Sequence, residues 1–109
     1  MRLINQMGTV DIPYELCALS IGGMSGKATI YIRSKVLDDR PVAFADYSSE
    51  DKALKVMEMV RNRYAKFILF QTTYQNGVLE KLTKELGENE ALNIVTPIFR
   101  FPKDEEVEV

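Results

Sequence analysis

The chain has 109 residues, 46% hydrophobic and 28% charged, with 14 Lys and Arg against 16 Asp and Glu for a net charge of −2. These proportions describe one globular domain with a single core, not a disordered segment. The near-neutral balance lacks the basic field of a non-specific nucleic-acid binder, so no nucleic-acid partner is expected. There is no histidine, so the usual neutral-pH general base and the usual nitrogen metal ligand are both missing. No metal, no cofactor and no catalytic residue is expected. Cys17 is the one cysteine, which excludes an intramolecular disulfide and fits a reducing cytoplasm. The opening Met1 to Gln6 has no signal-peptide core, and no apolar run reaches the ~18 residues of a membrane span. A chain of this size buries only about 60–70% of its unfolded surface, so assembly into a homo-oligomer is expected.

In chain order, Arg2 to Gln6 reads as a short strand ended by Gly8. Asp11 to Ile21 is a second strand opening with Pro13, which belongs near a strand start or on an edge. Within it Cys17, Leu19 and Ile21 share one face, and Leu16, Ala18 and Ser20 the other. Gly22 to Gly26 signals a loop. Lys27 to Ser34 alternates: Ala28, Ile30 and Ile32 point one way, Thr29, Tyr31 and Arg33 the other, the period of a half-buried strand. Asp38 to Pro41 marks a turn, and Val42 to Tyr47 a further strand. These strands form an antiparallel meander.

A long helix follows. Ser48 is its expected cap, with Asp51 three residues on resembling a capping box. Ala53, Val56, Met57, Val60, Tyr64 and Phe67 make one apolar stripe at helical spacing. Phe67 to Tyr74 reads equally as more helix or as a strand. Asn76-Gly77 marks a turn, Val78 to Leu86 a shorter helix, and Leu92 to Phe101 a last strand interrupted by Pro97. The expected fold is therefore α+β: an antiparallel sheet, built from the N-terminal meander and a C-terminal strand, packed by one long and one shorter helix. The domain spans residues 1–103, and residues 104–109 form an acidic tail.

Candidate binding residues are cationic, aromatic or amide-bearing. Gly22 to Lys27 has some of the glycines of a phosphate loop. Ile21 and Ala28 stand where that motif needs glycine and Ser or Thr, and a strand follows where it needs a helix. A hairpin loop is the plain reading; contact between its amides, Lys27 and an anion is the functional one. Arg61, Asn62 and Arg63 either form a solvated helix face or clamp a phosphate. Tyr31 with Arg33 suits stacking plus charge if that strand face meets solvent, and Arg100 poses the same alternative. Gln71, Tyr74 and Asn76 lie in an uncharged polar run fit for a loop or a pocket lining. No pair of carboxylates has acid–base spacing, and nothing in the composition can activate Cys17.

The opening Met-Arg-Leu-Ile-Asn-Gln, Asp11 to Glu15, Tyr47 to Ser49 leading into Lys52 to Met59, and the ending Phe99 to Val109 resemble small proteins of phages and prophages of Gram-positive bacteria. Within that group the chain is most similar to the first Thoeris anti-defence family. The resemblance implies a sheet with packed helices, oligomeric assembly and a host bacterial cytoplasmic location. It also implies a sponge role: binding cyclic nucleotide-type immune signals, cyclised ADP-ribose isomers or cyclic oligonucleotides, without cleaving them. It assigns no pocket residues. An accessory protein that binds a host protein is the alternative.

Overall fold

A computed structural model describes residues 1–23, 26–73 and 98–108. Among them are the strands β1 (Arg2–Ile4), β2 (Asp11–Pro13), β3 (Cys17–Gly22), β4 (Ala28–Ser34), β5 (Val42–Tyr47) and β6 (Ile98–Arg100), and the helix α1 (Glu50–Thr73). The α+β class holds, but the strands make two three-stranded sheets instead of one: β2-β1-β6 and β3-β4-β5. The meander is the second sheet, antiparallel throughout. The C-terminal strand joins β1 in parallel, pairing Leu3 with Phe99, so the first sheet is mixed where an all-antiparallel one was expected. The expected shorter helix, Val78 to Leu86, and residues 92–97 of the last strand lie outside the described residues.

The expected single strand Asp11 to Ile21 is broken by a one-turn 3-10 helix at Tyr14–Leu16. Pro13 ends β2, an edge strand, where its missing N–H costs no ladder bond. The chain can thus leave one sheet and enter the other. The loop from β1 to β2 is organised by Asn5. Its Oδ1 accepts from the amides of Thr9 (2.7 Å) and Val10 (3.0 Å), and its Nδ2 donates to Thr9 Oγ1 at 3.0 Å. Gly8, at φ +75, makes the reversal that this ring of bonds requires. The turn at Asp38 and Asp39 is present, both in the left-handed region at φ 59 and 55, which Asp tolerates.

The alternation of β4 places Ala28, Ile30 and Ile32 inside and leaves Arg33 exposed. On α1 the expected stripe buries Ala53, Val56 and Val60, with Met57, Tyr64 and Phe67 packed beside them. The cap is Ser49, one residue later than expected: its Oγ accepts from Lys52 N at 3.2 Å. Ser48 instead donates its amide to Asp104 Oδ1 at 2.7 Å. The stretch from Phe67 resolves as helix as far as Thr73, continuing the period of the stripe.

Several contacts join the sheets, among them the Tyr47 hydroxyl, which donates to Pro102 O at 2.8 Å. In β5 the register shifts so that Ile30 opposes Ala45 and Tyr31 opposes Ala43, leaving Phe44 as the extra residue of a bulge. Phe44 is buried against Phe101, ring centroids 5.8 Å apart. Gln6 closes the outer edge of β5. Its amide donates to Phe44 O (2.9 Å), its Oε1 accepts from Asp46 N (2.9 Å), and its Nε2 donates to Asp46 O and Pro102 O, both at 3.1 Å.

The acidic segment after Pro102 folds back as a 3-10 turn at Asp104–Glu106, and Val107 is buried. The backbone N–H of Ser48, helped by the Lys52 ammonium 3.5 Å away, holds the Asp104 carboxyl below the usual aspartate range. A depressed folded value stabilises above the unfolded value of about 3.9 and is lost as pH falls through the lower folded one. Asp104→Asn should therefore melt at a lower temperature at neutral pH and lose less of its remaining stability on acidification. Melting curves from neutral pH down to about 2 check this; parallel curves for the two proteins would exclude it.

Candidate functional site

The candidate residues are dispersed over the chain. Thr29, Tyr31 and Arg33 lie on the face of β4 opposite to the buried Ala28, Ile30 and Ile32, so this face does meet solvent. The Tyr31 ring leans over Gly22, where a Cβ would sit 3.1 Å from Cε2. Successive helix residues point about 100° apart, so Arg61, Asn62 and Arg63 cannot all face one phosphate. Arg61 borders a cleft of about 200 Å³ with Tyr14, Cys17, Leu19, Met57 and Val60, a mostly apolar lining. Asn62 is exposed, and Arg63 is half-buried on the flank of the stripe, where burial lowers its pKa. Tyr64 packs on Tyr14, centroids 4.7 Å apart, which uses its ring inside the protein.

Lys27 borders a cleft of about 250 Å³ with Gly22, Gly23 and Glu50. Gly23 is obligatory there, because a Cβ would meet the Lys27 carbonyl oxygen at 2.1 Å. The lining of this cleft also holds Glu50, so its formal charge sums to zero. Gln71 is exposed on the last turn of α1. Tyr74 and Asn76 lie outside the described residues. Cys17 is half-buried at the start of β3, and its Sγ donates to Pro13 O at 2.9 Å. Burial, reinforced by the Glu15 carboxylate, pushes its thiol pKa up, the opposite of what a nucleophile needs.

The remaining residue, Arg100, stands in the most cationic setting. It lines a cleft of about 370 Å³ with Gln6, Met7, Gly8, Lys103 and Glu106. Both Arg100 and Lys103 are exposed, and neither forms an ion pair among the described residues. The carboxylate in the cleft is engaged, since Glu106 Oε1 accepts from Lys103 N at 3.1 Å. Opposite the cations is the Asn5-ordered loop, which holds Met7 82% exposed. An arginine fork and a lysine beside an apolar rim can grip an anionic group and cover the body that carries it.

Lys103, Gln6 and Met7 are absent from the sequence-derived set. Pro102 separates Lys103 from the strand bearing Arg100, and Gln6 reaches the cleft only because β1 and β6 are neighbours. The one sequence signal was the spacing of the two cations three residues apart around an aromatic and a proline. Among the described residues no group of three acidic or thiol side chains is placed to hold a metal, and no helix is long and apolar enough to cross a membrane. No family model matches the chain, and no match to it was found among the curated proteins or the solved structures.

Proposed function

We propose that this protein binds a phosphate-bearing small molecule and retains it without chemical change. The resemblance of residues 1–65 and 98–109 to the first Thoeris anti-defence family makes the ligand a cyclic nucleotide-type immune signal and the role a sponge in the cytoplasm of the phage's host. The observation that carries the reading is the cleft in which Arg100 and Lys103, neither in an ion pair among the described residues, stand together. An anion bound there gains charge-assisted hydrogen bonds from both. Nanomolar capture requires about −12 kcal/mol, more than two exposed cations supply, so the apolar rim at Met7 or a second protomer must help to enclose the ligand.

Calorimetric titration with cyclised ADP-ribose isomers and cyclic dinucleotides tests the proposal. Binding is expected for one class, with the ligand recovered unchanged after denaturation. Arg100→Ala should weaken it about tenfold, the value of one hydrogen bond to a charged group, and Arg100→Lys should restore part of the loss. Binding that is indifferent to Arg100 and Lys103 would move the site elsewhere. No binding across the panel would end the sponge reading.

A further inference from the structure

Among the described residues strand β3 is an open edge that pairs with β4 alone, whereas the other edge of the same sheet is closed by Gln6. Its sequence, Cys-Ala-Leu-Ser-Ile-Gly, contains no charge, no proline and no bulge, three of the devices by which natural edges discourage pairing.

The hydrogen-bond parity of that edge follows from its end. Cys17 opposes Ser34, yet Cys17 N donates to Tyr14 O, and Ser34 O accepts from Asp39 N at 2.9 Å. That pair is therefore a non-hydrogen-bonded one. Strict alternation then makes Ala18, Ser20 and Gly22 the residues bonded to β4, and turns the N–H and C=O of Leu19 and Ile21 outward. Neither has a backbone partner on that side among the described residues. The same two residues, with Cys17, present a half-buried apolar row on the inner face, while Ala18 and Ser20 are exposed on the outer one.

We propose that a second copy of this chain occupies the edge, β3 against β3 in antiparallel orientation about a two-fold axis through Ser20. A two-fold between two residues would oppose an inward side chain to an outward one, so the axis must pass through a residue. Centred on Leu19, the pairing leaves Ile21 C=O unbonded, because Cys17 N is already used. Centred on Ser20, Leu19 pairs with Ile21 of the partner subunit, and every outward N–H and C=O of both residues is satisfied in both copies. The inner rows then join as Leu19 against the partner's Ile21. Outside, Ser20 meets Ser20 of the partner subunit with Cα atoms about 4.5 Å apart. A continuous six-stranded sheet results, with Tyr31 and Arg33 of both copies on one outer face.

Sedimentation of the full-length protein should give a species of twice the 12.4 kDa chain mass. Amide exchange of Leu19 and Ile21 should slow as concentration rises, while Ala18 and Ser20 stay protected at all concentrations. Ser20→Lys, on an exposed position, sets two like charges face to face and should weaken the dimer about tenfold or more. Ser20→Cys in a Cys17→Ser background should cross-link spontaneously on oxidation, and Arg33→Cys in the same background should not. Should the lysine variant fail to fold, the cross-link decides. A monomer at every concentration overturns the proposal, as does a dimer indifferent to Ser20→Lys that Ser20→Cys does not link. These results are independent of ligand binding at Arg100.

Discussion

Replacing Ile30 by alanine should lower the unfolding free energy by about 3 kcal/mol, the middle of the range for a fully buried large-to-small change. Ile30 is 0% exposed at the centre of β4. It is flanked by Ile21 on β3 and Ala45 on β5, beneath the stripe of α1. Two neighbouring strands and a helix fix its surroundings, so the cavity cannot close without breaking ladder bonds. The whole domain has of order 5–15 kcal/mol to lose. A fall in melting temperature on the order of 15 °C is expected. Ile30→Val, which keeps most of the volume, should cost about 1 kcal/mol. Chemical denaturation of both variants checks the pair; a loss under about 1 kcal/mol for alanine would mean that α1 does not seal this position.

The second large effect belongs to Gln6. Gln6→Ala removes three side-chain hydrogen bonds, two to Asp46 and one to Pro102. Each contributes about 0.5–1.5 kcal/mol, and water can replace part of those at the exposed Asp46, so a loss of about 2 kcal/mol is expected. The change should also reopen the edge of β5, seen as faster amide exchange at Asp46, with β3 and β4 unaffected. Gln6→Glu keeps an acceptor for Asp46 N but loses the donor and sets a charge against two carbonyl oxygens, so it should not rescue. Wild-type stability in the alanine variant would leave the Phe44–Phe101 contact, the Tyr47 hydroxyl bond to Pro102 O and the Gln6 backbone bond to hold the sheets together.

The Gln6 junction shows where sequence reading stops. Gln6 and Pro102 are 96 residues apart, and no local pattern relates them. Residues 104–106 were equally opaque. A run of acids reads as an acidic tail, yet Asp104 holds Ser48 and Lys52 at the entry to α1, and Val107 enters the core. The dispersal of the arginines has the same cause. Arg61 and Arg63 are two residues apart in sequence and diverge on a helix, whereas Arg100 gains its neighbours from a loop some ninety residues earlier.

Long periodic segments were legible from the residues alone: the alternation of β4, the bounds of β5, the apolar stripe of α1 and the turn at Asp38–Asp39. In β4 and α1 burial of one face repeats often enough along the chain to leave a readable period, and the turn is marked by its Asp-Asp-Arg-Pro residues. Tertiary structure decided the rest. The three-residue strands β1, β2 and β6 were expected as strands but are too short to carry a period that fixes their partners, and the β1–β6 pair joins residues more than ninety positions apart. Their pairing divides the strands into two sheets, makes one of them mixed, and brings Arg100 and Lys103 beside the Asn5 loop. Local sequence sets which face of an element is apolar; the closing of long-range contacts sets which elements meet, and with them the cleft.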